Sequence, residues 1–156
     1  MYNRILVPLD GSKLAESALG HAEVIAKGCH SSTVVLLRIV ETGATDNRPG
    51  AYSWGGVVSA PQMTNLRLRL EKEATEYLNK LADRLNSKGI PTTTCVIPGE
   101  PAGVILDYSL KNQIDLIIMS THGRSGMSRW AFGSVAEKVT STSKVPVLVV
   151  SPATRA

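Results

Sequence analysis

Apolar positions along this chain alternate between two periods. Arg4–Leu9 (RILVPL) is a nearly continuous apolar run, and residues 12–27 then place Leu14, Ala18, Ala22 and Ile25 at steps of four, four and three. The first pattern predicts a strand and the second the stripe of an amphipathic helix, which Gly28 stops. Thr33–Val40 (TVVLLRIV) is apolar on both faces and rich in β-branched residues. Such a strand is covered by helices on both sides, as in a parallel sheet. Residues 41–60 carry Gly43, Pro49, Gly50, Gly55 and Gly56 with no helical period, which predicts an irregular loop. Pro61 suits a first helical turn, and Leu66, Leu70, Ala74, Tyr77, Leu81 and Leu85 continue a helical stripe until Gly89 and Pro91 end it. Shorter units follow: a strand over 92–97, a helix from Pro101 to Asn112, and a strand over 115–120 (DLIIMS). A Gly- and Ser-rich loop over 121–133 leads into a helix over 134–142 and a last strand over 145–150 (VPVLVV).

Five strands and four helices in strict alternation predict an α/β domain with right-handed crossovers. The expected architecture is a three-layer, doubly wound, five-stranded parallel sheet of order 3-2-1-4-5 with helices on both faces. With 156 residues, 43% of them hydrophobic, a mean hydropathy of +0.03 and no shift of composition along the chain, residues 1–156 read as one domain with a buried core. No apolar run reaches the roughly 18 residues of a membrane span, and the chain enters a strand pattern at once without a signal-type segment. The expected location is cytoplasmic, without membrane insertion. Cys29 and Cys95 stand 66 positions apart with no CxxC and no histidine at ligand spacing, which argues against a disulfide framework and a zinc site. A net charge of +4 with 4% aromatic residues supplies neither the basic stripe nor the stacking platform of a nucleic-acid binder.

The order 3-2-1-4-5 opens a crevice at the carboxyl ends of strands one and four, where the winding reverses. Pro8, Leu9 and Asp10 end the first of these strands, and Ser120, Thr121, His122 and Gly123 end the other. The loop STHGRSGMSRWAFGS feeds straight into a helix, so its glycines present free N–H groups beside the positive end of a helix dipole. Such a turn holds anions, and Arg124 and Arg129 in the same loop add charge for phosphate oxygens. Known motifs do not fit. Gly133 is followed by Ser134 and Val135 rather than by the Lys and Ser/Thr of a Walker A loop, and the first strand leads to DGS rather than to GxGxxG. The run 123–127 (GRSGM) misses GxSxG by one position, and Ile97, Pro98 and Gly99 stand where a phosphoacceptor receiver needs an Asp after its third strand.

Asp10 after the first strand, Gly123 separated by nine residues from Gly133 and Ser134, and the closing run PVLVV together resemble the universal stress proteins over nearly the whole chain. In the nucleotide-binding branch of that family, a glycine, two residues, a glycine, nine residues, a glycine and a serine or threonine hold ATP phosphates. Here the last two glycines and the serine fall on Gly123, Gly133 and Ser134, while the first glycine position is Ser120. The resemblance implies that Asp10 meets the ribose and that backbone near Ile39 and Val40 faces adenine. It implies a site made of Pro8, Leu9, Asp10, Ile39, Val40, Met119, Ser120, His122, Gly123, Arg124, Gly133, Ser134 and Val135, with Mg²⁺ held through the phosphates.

Each of these residues also has a plainer role. Ser134 with Glu137 spells a capping box, Asp10 in DGS spells an Asx turn, and His122 has no partner acid or nucleophile in view. Tyr52 and Trp54 in the long loop either cover adenine or pack over the sheet edge. No general base, metal-ligand cluster or arginine supplied in trans supports fast hydrolysis. The reading is an ATP-binding sensor or regulator with an unidentified regulatory protein partner. It competes with a nucleotide-free dimeric interaction module of the same fold, and with a small-molecule enzyme on the same sheet. The last strand, 145–150, is an edge in the order 3-2-1-4-5, and unpaired backbone groups there predict an antiparallel homodimer, an arrangement the resemblance also implies.

Overall fold

The computed structural model describes residues 2–29, 32–41, 60–121 and 133–151. Among them, five strands and four helices alternate as β1 (Arg4–Leu9), α1 (Ser17–Gly28), β2 (Thr33–Val40), α2 (Ala60–Asn86), β3 (Thr92–Pro98), α3 (Pro101–Lys111), β4 (Leu116–Ser120), α4 (Ser134–Thr142) and β5 (Val147–Val150). The strands form one parallel sheet in the expected order β3-β2-β1-β4-β5. Because side chains alternate across a strand, the two faces bury separate clusters. Ile5, Val7, Val34 and Leu36 pack with Ala18 and Ala22 of α1 and Leu78 and Leu85 of α2. Leu6, Val35, Leu37 and Ile117 pack with Ile105 of α3 and Val139 of α4. Three layers result. No described helix is long and apolar enough to cross a membrane.

Four local expectations differ. The first helix begins at Ser17 rather than at residue 12, because Ser12 Oγ accepts the Ala15 N–H at 3.1 Å and tight turns follow, with Ser17 N–H donating to Leu14 O at 3.1 Å. Ser12 thus closes a tight entry turn ahead of the regular helix. In α2, Leu66 is 51% exposed, contrary to its place in the expected stripe, and the buried positions begin at Ala74. At about 1.5 Å per residue the 27-residue helix is far longer than an eight-residue strand, so its first half overruns the sheet. The fourth strand starts at Leu116; Asp115 before it donates its N–H to Arg4 O at 2.9 Å while its carboxylate accepts from the N–H groups of Asn3 and Arg4, at 2.8 and 2.9 Å. The last strand starts at Val147, since Ser143 Oγ donates to Val145 O and accepts from Val145 N–H, holding that residue in a turn.

One surface cluster ties α1 to the end of α2. The Glu23 carboxylate accepts from Lys88 Nζ at 2.6 Å and from Lys27 Nζ at 2.9 Å. The Lys88 and then the Lys27 hydrogen bonds hold its pKa at about 2, below the ordinary 4.5. A carboxyl depressed in the folded state adds stability above its unfolded pKa and loses it as pH falls toward the folded value. Glu23→Gln is therefore expected to melt below the parent protein at pH 6 and to converge with it between pH 4.5 and 2. Thermal melts at low ionic strength check this, because salt screens exposed pairs; a constant difference down to pH 2 contradicts it.

Candidate functional site

The crevice lies where the sheet reverses its winding. Strand β1 is in register with β4 at Ile5↔Leu116 and Leu6↔Ile117, and the two part beyond that point. On the other side, β1 ends at Leu9 opposite Arg38, so Ile39 and Val40 of β2 run past its end. A cavity of about 320 Å³ occupies this gap, within the roughly 300 to 1,000 Å³ of small-molecule sites. Pro8, Leu9, Asp10, Ile39, Met119, Ser120, Gly133, Ser134 and Val135 line it, all of them expected from the sequence. Ala15, Glu41, Pro101, Ile105 and Ala136 complete the wall and were not expected. For Pro101, Ile105 and Ala136 the signal lay in the topology: α3 and α4 share one face of the sheet, so the start of α3 must flank the same cleft. His122, Gly123, Arg124 and Arg129, like Tyr52 and Trp54, lie outside the described residues.

Two helix N-termini approach this cavity in different electrostatic states. At α3, the Glu100 carboxylate caps the helix, accepting from Ala102 N–H at 3.2 Å and Gly103 N–H at 2.7 Å. Lys138 Nζ lies 3.3 Å from the same carboxylate. The Gly103 hydrogen bond foremost, with Lys138 and Ala102 adding to it, lowers the Glu100 pKa against the opposing effect of burial. That helix end already has its anion.

At α4 the N-cap is Gly133, which has no side chain to offer, and Ser134 is the first helical residue. The Ser134–Glu137 capping box that the sequence offers as an alternative to phosphate contact does not form, because the serine stands one position too late to cap. Gly133 O instead accepts the Glu137 N–H at 2.9 Å, an ordinary helical bond. With φ −61° and ψ 148°, Gly133 sits in extended backbone that any residue adopts. Its lack of a side chain leaves the first-turn N–H groups of α4 uncovered by a cap.

The register of β2 decides which backbone groups face the gap. Thr33 N–H donates to Asn3 O toward β1, and Val34 N–H donates to Pro91 O toward β3. Backbone groups of odd-numbered residues therefore point to the β1 side and those of even-numbered residues to the β3 side. Past the end of β1, the Ile39 carbonyl and the Glu41 N–H face the crevice. Val40 does not: its carbonyl accepts the Gly99 N–H at 3.2 Å on the β3 side, and it lines a neighbouring cavity. Asp10 is exposed at the rim, where its Oδ1 accepts the Ser12 N–H at 2.8 Å in an Asx turn, and Gly11 beside it has φ +87°, a left-handed conformation suited to glycine.

Comparison with known proteins agrees with this architecture. The universal stress protein family profile matches residues 1–151. Universal stress protein MJ0531 of Methanocaldococcus jannaschii is 32% identical over 150 residues, spanning 96% of this chain and 82% of that protein. The solved structure of MJ0577, a universal stress protein of the same organism, superposes with a TM-score of 0.78 at 27% identity, covering 98% of both chains. A universal stress protein from Arabidopsis thaliana, solved with AMP bound, shares the fold with a TM-score of 0.66 at 13% identity, covering 97% of this chain and 93% of its own. With its α/β topology and a match running from the first strand through the last, the chain belongs to the universal stress protein family.

Proposed function

We propose that this universal stress protein binds ATP in the crevice between β1 and β4 and works as a sensor or regulator in a stress response. The observation that carries the reading is the pairing, in one cavity, of an uncapped α4 N-terminus with the backbone edge of Ile39 and Glu41. The helix end suits the phosphates. The strand edge suits the base. Adenine offers an N6 donor beside an N1 acceptor, which match a carbonyl and an N–H two residues apart on one strand. Guanine offers O6 as acceptor and N1–H as donor at the corresponding positions, the reverse polarity. Asp10, at the rim between them, is placed to accept from ribose hydroxyls. The phosphates carry Mg²⁺, a hard cation that keeps oxygen and water ligands. Among the described residues no group of three His, Cys, Asp or Glu gathers to hold a metal by itself. The AMP bound by the Arabidopsis relative supports an adenine nucleotide as the ligand class.

Thermal melting tests this. Binding raises stability by RT ln(1 + [L]/Kd), about 2.7 kcal/mol at a hundredfold excess over Kd. ATP is expected to raise the melting temperature by several degrees, and GTP at equal concentration by much less; equal shifts contradict the adenine assignment.

A nucleotide-free interaction module is the second reading, favoured by the half-buried edge strand β5. Both readings include a homodimer through that edge, and signalling then passes to a regulatory protein partner. Mass spectrometry of the freshly purified, denatured protein separates them: a co-purified adenine nucleotide supports the first, and a bare chain that ATP also fails to stabilise supports the second.

A further inference from the structure

A second cavity, of about 430 Å³, adjoins the crevice on the α1 and α2 face, and Arg38 is the one cation among the described residues that line it. Arg38 follows Val34 and Leu36 on that face of β2, so its side chain leaves the sheet away from α3 and α4. Its guanidinium reaches back under the end of β1. Nη1 donates to the Leu9 carbonyl over 3.4 Å, and Nη2 lies 3.7 Å from where a Cβ on Gly11 would stand. The Leu9 carbonyl belongs to the peptide that leads into Asp10, and the Asp10 carboxylate is tied on its other side to Ser12.

The surroundings are acidic. Glu41 and Glu73 share the cavity wall, and Tyr77 Oη donates to Glu16 Oε1 at 3.3 Å. Burial first, then the charge of Glu16 and its hydrogen bond, and the charge of Asp10 push the Tyr77 pKa up to about 12, with Arg38 acting in the opposite sense. The guanidinium, Asp10, Glu16 and the Tyr77 phenol thus belong to one electrostatic cluster at the end of β1.

We propose that Arg38 is a positioning residue for the nucleotide ribose: from the far face of the sheet it braces the Leu9–Asp10 peptide and offsets the surrounding carboxylates, so that Asp10 meets the sugar in a set orientation. This rests on the nucleotide reading above and adds to it a residue with no place in the crevice wall. An incoming triphosphate brings further negative charge toward the Asp10 carboxylate. A fixed cation beneath the turn counters that repulsion without touching the ligand. Arginine suits the task because its planar fork sets Nη1 on the carbonyl while Nη2 lies against the glycine.

Calorimetric binding of ATP and of 2′,3′-dideoxy-ATP tests the assignment. The parent protein is expected to prefer ATP about tenfold, the worth of one hydrogen bond to a charged group. In Arg38→Met the preference narrows to about twofold, with ATP weakened and the dideoxy nucleotide nearly unchanged, and in Arg38→Lys it recovers in part, to about fourfold. A residue that merely supports the fold weakens both nucleotides alike, so a full preference in folded Arg38→Met overturns the proposal. If Arg38→Met does not fold, Arg38→Lys decides: a preference below the parent value supports the role and an undiminished one overturns it. Equal binding of the two nucleotides by the parent protein overturns it as well. Failure of the parent protein to bind either nucleotide overturns the nucleotide reading itself, and this assignment with it.

Discussion

Gly133→Val is expected to weaken ATP binding by about a hundredfold while leaving the fold and the melting temperature of the free protein nearly unchanged. The two halves of this expectation have separate causes. Gly133 has φ −61° and ψ 148°, a conformation natural to valine, so the substitution imposes no backbone strain. At the N-cap of α4, however, a branched side chain stands over the first-turn N–H groups that the phosphates need. Losing two hydrogen bonds to a charged group, each worth about 1.5 kcal/mol or more, gives the stated factor. Gly133→Ala, with a single methyl, is expected to fall between the two. Isothermal titration with ATP, alongside circular dichroism of the free variant, reads both halves. Undiminished affinity in a folded Gly133→Val protein removes α4 from the phosphate site.

Val149→Pro is expected to convert a dimer into a monomer with the domain fold preserved. Ile117 N–H donates to Pro146 O, and Thr121 N–H donates to Val150 O. By the alternation of a parallel ladder, Pro146, Leu148 and Val150 spend their backbone groups on β4, while Val147 and Val149 direct theirs outward. The edge therefore offers two outward N–H groups, fewer than a run of apolar residues suggests, and Pro146 costs the edge nothing because its nitrogen faces inward. Proline at 149 deletes one of the two outward donors and sets its ring against an approaching strand, yet spares the bonds to β4. The loss is expected to raise the dimer Kd at least about a hundredfold, since the two-fold axis removes the donor from both copies. Sedimentation velocity at micromolar concentration measures it. A monomeric parent protein, or a variant that stays dimeric with its circular dichroism intact, contradicts the edge-strand dimer.

Local pattern was sufficient for the elements and their order. The apolar runs of β1, β2 and β4 and the stripes of the helices state their own periodicity, and strict alternation with right-handed crossovers leaves few sheet orders to choose among. The cleft followed from that order, and the residues at its strand ends came with it. Periodicity does not carry register, and register settled the rest. Whether Ile39 or Val40 turns its backbone to the crevice depends on where β1 stops against β2, a relation between residues about thirty positions apart. Whether Leu66 is buried depends on where the sheet ends beneath a helix whose stripe continues regardless. Ser134 and Glu137 carry the letters of a capping box, but α4 begins at the serine itself, one position too late for it to cap. Arg38 shows the same division: in sequence it is one charge in an apolar strand, and it acquires a role because the fold brings the turn after β1 over its guanidinium. Sequence alone determined which segments are strands and helices and which ends of them form the cleft, because those are local periodicities plus chirality. Tertiary structure decided which N–H groups, carbonyls and charges face that cleft, because that is set by pairing and packing between distant segments.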